Sequence, residues 1–185
     1  DLTVGKGANS VATNTVLGDN ALDAAVTGGF NTAVGYNALT TNTSGADNVA
    51  IGYDALAANT TASTNTAVGK SALKLNDTGG SNTAVGREAL ESNTSGGTNT
   101  AVGLQALGDN TTAGDSVAVG YLAAGAATTA AGTVAIGRET LGSGVMTGDY
   151  NTAVGYTAGK VVTSGTYNTL VGHKAGLALT TGGSN

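Results

Sequence analysis

What most constrains this chain is its period. The pentapeptide N-T-A-V-G opens at Asn31, Asn65, Asn82, Asn99 and Asn151, and close variants fill the intervals. With the Asn as slot 1, repeats begin at Asp1, Asn14, Asn31, Asn48, Asn65, Asn82, Asn99, Ser116, Thr133, Asn151 and Asn168. The steps are 13 residues, then seven of 17, one of 18 and one of 17. A short unit repeated this closely cannot bury a face alone, so each copy must stack on its neighbours. Helical hairpin repeats need more than about 30 residues, which excludes them here.

The slots differ in what they tolerate. Slot 5 is Gly throughout: Gly5, Gly18, Gly35, Gly52, Gly69, Gly86, Gly103, Gly120, Gly137, Gly155 and Gly172. Slot 4 is always a branched aliphatic (Val34, Ile51, Val68, Ile136), slot 3 is mostly Ala, and slot 2 alternates between Thr and Val. Slot 8 is nearly always Ala and slot 9 usually Leu. T-A-V or V-A-I closed by Gly reads as a short strand followed by a bend. One repeat is then one coil of an all-β parallel solenoid, expected to hold two short strands and two turns. About eleven coils stacked ~4.8 Å apart would make a rod of roughly 50 Å, a single array over residues 1–185. The slot-5 Gly marks a bend that needs positive φ or a close backbone approach. The slot-1 Asn suits a left-handed turn and a side-chain hydrogen-bond ladder.

Composition fits a thin rod. With 31 Gly, one Phe, no Trp and no Pro, the interior must be built from small side chains. Alternation puts slots 2 and 4 on one face of the strand and slot 3 on the other. Either the Val/Ile rank fills the coil with Ala outside, or Ala lines a cramped coil and the Thr/Val and Val/Ile ranks form an outer apolar stripe. The second reading explains the recurrence of Ala in slot 3 and predicts self-association along the rod.

Several functions are disfavoured. A net charge of −5, with seven scattered basic residues, does not suit nucleic acid. No apolar run is long enough for a membrane span. Cysteine is absent, the single His173 cannot form a metal site within one chain, and no cofactor motif is present. The "GKS" at 69–71 has Thr64 where a phosphate loop requires Gly, and Asp does not recur as in calcium-binding repeats. No active site is expected. The chain opens on Asp1, as a processed product or fragment would, and Asn185 falls where another repeat would open, so the array is expected to continue.

The variable pair in each repeat is slots 6 and 7, expected to be exposed just past the Gly bend. The slot-6 residues include Tyr36, Tyr53, Lys70, Arg87, Tyr121, Arg138, Tyr156 and His173. The plain reading is solubility; the sharper one is an exposed ladder that binds a partner or glycan. Slot 12 holds Asn42, Asn59, Asn76, Asn93 and Asn110, each followed by x-Ser or x-Thr. These sequons follow from Asn/Thr-rich turn chemistry more simply than from glycosylation.

The stretches "NVAIGYDAL" (48–56), "SVAVGYLAA" (116–124) and "TVAIGRETL" (133–141) resemble the head repeats of trimeric autotransporter adhesins, the YadA-like family. The N-T-A-V-G copies are also similar to repeats of phage tail-fibre-like proteins. The resemblance covers essentially the whole chain, though the family's coil is somewhat shorter than 17 residues. It implies a left-handed parallel β-roll, a homotrimer, an extracellular place on a bacterial surface or virion, and attachment to a host protein or glycan. Alternatives are a phage fibre shaft, a filament joined end to end, or an ice-binding solenoid; against the last, slot 2 is a single Thr rank interrupted by Val49, Val117 and Val134.

Overall fold

The computed structural model describes residues 4–5 and 11–184. Eleven strands form one sheet in chain order: β1 (Val4–Gly5), β2 (Thr15–Leu17), β3 (Thr32–Val34), β4 (Val49–Ile51), β5 (Thr66–Val68), β6 (Thr83–Val85), β7 (Thr100–Val102), β8 (Val117–Val119), β9 (Val134–Ile136), β10 (Thr152–Val154) and β11 (Thr169–Val171). From β2 onward every pair is parallel and slot matches slot, as in Thr32↔Val49, Ala33↔Ala50 and Val34↔Ile51. The chain is therefore an all-β parallel solenoid, with ten stacked strands spanning about 43 Å at ~4.8 Å per strand.

Two expectations need correction. The first repeat does not stack as a parallel coil: β1 pairs antiparallel with β2, Val4 opposite Leu17 and Gly5 opposite Val16. A parallel return needs a dozen or more connecting residues. Residues 6–14 are too few, whereas 18–31 suffice for the next coil.

Each described coil also has one strand rather than two. After the Gly bend, slots 7 and 9 adopt left-handed φ in coil after coil, for example Asn37 (55°) and Leu39 (53°), or Glu88 (58°) and Leu90 (51°). A chain alternating in and out of that region cannot extend into a strand. It still bonds from coil to coil: Asp54 N–H donates to the Tyr36 carbonyl at 3.0 Å, Leu56 to Ala72 at 3.1 Å, and Thr64 to Ala46 at 3.0 Å. Each coil thus templates the next around its circuit, with regular strand on only one side.

The interior settles which face is buried. Slot 3 (Ala33, Ala50, Ala67, Ala84, Ala101, Ala118, Ala135, Ala153), slot 8 and the slot-9 leucines Leu22, Leu39, Leu56, Leu73, Leu90, Leu107 and Leu141 form one continuous core. Slots 2 and 4 face outward, and Ile51, Val85, Val102, Val119 and Ile136 are 37–40% exposed. The slot-5 glycines Gly35, Gly52, Gly69, Gly86, Gly103, Gly120, Gly137 and Gly155 combine both expected requirements. Their φ lies at 130–137°, and an added Cβ would come within 2.4–2.6 Å of the next coil's Gly carbonyl oxygen. Gly172 shares the conformation (129°) but has open space where its Cβ would be.

Two buried ladders bind the coils. In slot 1, Asn31 Oδ1 accepts the N–H of Asn48 (3.0 Å), Asn48 Oδ1 that of Asn65, and Asn65 Oδ1 that of Asn82 (each 2.9 Å). In slot 12, Asn59 Nδ2 donates to Asn42 Oδ1 (2.9 Å), Asn76 to Asn59 (3.2 Å), Asn93 to Asn76 (2.7 Å) and Asn110 to Asn93 (2.8 Å). All five slot-12 amides are fully buried and engaged, so a folded coil leaves no sequon Asn for a glycan.

Candidate functional site

The surface that could meet a partner is built from the two flanks of the exposed strand face. On the flank after the Gly bend, slot 6 projects from every coil, and all eight singled-out residues are exposed. Stacking gathers most of them into two groups. Tyr36 and Tyr53 are stacked at 5.5 Å with rings 12° from parallel, and Lys70 Nζ lies 5.7 Å from the Tyr53 centroid. Farther along, the Arg138 guanidinium sits between Tyr121 (5.4 Å) and Tyr156 (5.8 Å), and Tyr156 meets His173 at 5.5 Å. Arg87 belongs to neither group; it pairs with Glu88 at 2.8 Å. Leu104 interrupts the rank.

Slot 7 departs from expectation. Asp54, Ser71 and Thr157 are buried and Asn37, Glu88, Gln105 and Glu139 half-buried. The left-handed φ turns this side chain along the rod toward its neighbours: Asn37 Nδ2 donates to Asp54 Oδ1 (3.0 Å) and Gln105 Nε2 to Glu88 Oε2 (3.0 Å). Slot 7 also neutralises the cations beside it. Glu139 Oε2 accepts from Lys160 Nζ at 2.6 Å while Oε1 faces Arg138 at 3.0 Å, and Asp54 faces Lys74 at 3.3 Å. The Lys160 hydrogen bond holds the Glu139 carboxyl below its ordinary value against a smaller opposing effect of desolvation, with the Arg138 charge adding to the lowering.

These contacts limit the chemistry. The stacked Tyr faces are turned toward each other along the rod, so edges and hydroxyls are what they present outward. A polyanion would find Arg87, Arg138, Lys74 and Lys160 already paired. A cavity of about 250 Å³ opens between Glu91, Asp109, Gln105 and Leu122, where slot 10 is Gly108, Gly125 and Gly142. Among the described residues no group of three or more His, Cys, Asp or Glu is placed to hold a metal ion, and no helix is long and apolar enough to cross a membrane.

The opposite flank holds what slot reasoning passed over. Tyr150 and Tyr167, both in slot 17, stack at 5.2 Å and 17°, and Phe30 occupies the same slot. Their 17-residue spacing was the available signal. The chain matches no family model, no curated protein and no solved structure.

Proposed function

We propose that this chain is a non-enzymatic fibrous segment of a surface attachment structure, a rod that associates with copies of itself and presents its slot-6 flank to a partner. The observation that carries the reading is the outward face of β2–β11: an in-register array of Thr/Val and Val/Ile ranks some 43 Å long. An apolar stripe of that length is stabilised when covered. Covering by two further copies is the arrangement the adhesin-head resemblance implies, with an extracellular bacterial or virion location. A host protein or glycan is then the partner for Tyr36, Tyr53, Lys70, Arg87, Tyr121, Arg138, Tyr156 and His173, met through ring edges, hydroxyls and exposed polar side chains.

Light scattering after size exclusion tests this. A mass three times the chain's 17.6 kDa is expected. A clean monomer would refute the reading. It would leave the regular Thr/Val face in water, favouring a single-chain solenoid that binds a regular surface such as ice, which thermal hysteresis would register.

A further inference from the structure

Slot 17 precedes the strand and slot 6 follows it, so these two ranks run along opposite edges of the exposed face. Within a coil five residues, the strand among them, lie between the two ranks, six backbone steps that span at most about 20 Å. Ring contacts run along the ranks: Tyr150–Tyr167 on one edge, Tyr36–Tyr53 and Tyr156–His173 on the other.

The two ranks nevertheless match level by level. Where slot 6 is a ring (Tyr36, Tyr53, Tyr121, Tyr156, His173), slot 17 is Phe30, Asp47, Asp115, Tyr150 or Tyr167. Where slot 6 is Asp19, Lys70, Arg87, Leu104 or Arg138, slot 17 is Thr13, Thr64, Ser81, Thr98 or Gly132. The division is complete over all ten levels. A second observation is conformational. Phe30, Tyr150 and Tyr167 stand at φ 60°, 57° and 56° while 66%, 54% and 61% exposed. Bulky side chains avoid that region; the other levels place Asp47, Thr64, Ser81, Thr98, Asp115 and Gly132 there at φ 58–62°, so the aromatic levels are the ones that put a large exposed ring on it. Within one chain the Tyr150–Tyr167 stack offsets part of that strain, while all three rings stay more than half exposed, so a second copy would bury them further.

We infer that slot 17 of one copy packs against slot 6 of a second copy at the same level, so that the two edges form a register-setting seam between parallel chains. The inference rests on the self-associating reading above and adds its geometry. Copies related by an axis along the rod bring the leading edge of one sheet beside the trailing edge of the next at equal height; a perpendicular axis would scramble the levels. The seam then consists of ring pairs, Phe30 with Tyr36, Tyr150 with Tyr156 and Tyr167 with His173. At the acidic levels, the hydroxyls of Tyr53 and Tyr121 donate to Asp47 and Asp115. Asp115 Oδ1 already accepts from Thr98 Oγ1 at 2.5 Å, and Oδ2 remains as the acceptor.

The chain has no Cys, so introduced pairs report cleanly. Thr98→Cys with Leu104→Cys places thiols on one level, and Thr98→Cys with Tyr121→Cys offsets them by one coil. A short thiol-reactive crosslinker should yield covalent multimers at least ten-fold more efficiently from the first pair. Ser81→Cys with Arg87→Cys repeats the test should the first variant not fold. A multimeric mass with equal or better crosslinking of the offset pair would overturn the seam and leave self-association standing; a monomeric mass would remove both. Independently, Tyr150→Ser with Tyr167→Ser should weaken association ten-fold or more without lowering the single chain's resistance to unfolding. Unchanged association would also overturn the seam.

Discussion

The coils from Asn31 to Asp115 and those from Ser116 to Tyr167 build the same rod with different interiors. In the first region slot 12 is a file of buried Asn bonded from coil to coil, and slot 9 is Leu at every level. In the second region the file stops. Ala127 takes the Asn position and is bridged to Met146 of the 18-residue coil, and Val162 follows. Slot 9 also loosens, to Ala124 and Gly159. At Gly159 the missing Leu volume is filled by neighbours: a Cβ there would lie 2.7 Å from a Leu141 methyl and 2.8 Å from a methyl of Leu170, which replaces the slot-3 Ala in the next coil. Volume is conserved while its source moves. The coil is thus specified by total filling and closed backbone bonding, and each position is free only within those limits.

If that is correct, what both regions keep should be equally costly to change. Gly86 lies in the first region and Gly137 in the second, at φ 137° and 130°, each with the next coil's carbonyl oxygen 2.5 Å from a would-be Cβ. Gly86→Ala and Gly137→Ala each force a backbone clash and a forbidden φ, so a loss of about 4 kcal/mol or more is expected from chemical unfolding. Gly172→Ala meets only the φ penalty and should cost far less. A mild Gly137→Ala beside a severe Gly86→Ala would show that the second region can open its bend, breaking the equivalence.

The Asn file should be most sensitive in its middle and least at its end. Each Nδ2 donates back to the preceding Oδ1; at the next level Ala127 has no side-chain donor and its N–H is bonded to the Ala124 carbonyl, so Asn110 Oδ1 is left buried without a partner. Asn76→Ala removes the bonds to Asn59 and Gly79, strands Asn59 Oδ1, and takes the acceptor from Asn93. Asn110→Ala leaves one orphan acceptor, as before, because its own vanishes while that of Asn93 appears. The expected losses are about 2–4 kcal/mol for Asn76→Ala and about 1–2 kcal/mol for Asn110→Ala. Equal losses would mean that the file is not directional and that its end is no boundary between the two regions.

The period, the slot assignments and the Gly bend were legible in the sequence, because a fault in any of them recurs in every coil; alternation left two readings of the strand faces, and the structure selects the Ala-lined interior with the Val/Ile rank outward. The second strand was misread because nothing in Leu39, Leu56 or Gln105 signals left-handed φ; closure of the circuit imposes it. For the same reason slot 7 looked free when it is half-buried. At the candidate site, the sequence placed Tyr36, Tyr53, Arg138 and Tyr156 on one flank but could not show that their faces would be used up along the rod. Tyr150 and Tyr167 were missed although their spacing is the period itself, since attention to the variable pair hid a second variable slot.

The smallest expected effect concerns charge. Both regions join slot 7 of one level to slot 10 of the next, Asp54 to Lys74 at 3.3 Å and Glu139 to Lys160 at 2.6 Å, the second pair reaching across the extra residue of the long coil. Glu139 is held below its ordinary 4.5, first by the Lys160 hydrogen bond. The folded chain therefore binds this proton less readily than the unfolded chain. The stability it contributes is present in full above the ordinary value and is lost as pH falls through the lowered one. Exposure and screening keep the contribution small. Thermal midpoints of the wild type and Glu139→Gln should differ slightly near neutral pH and converge in acid below 4.5. A difference that persisted in acid would assign the Glu139 contribution to packing. The long coil would then be held by its Met146 and Val162 interior alone, and the charge pair would be incidental to how the second region closes.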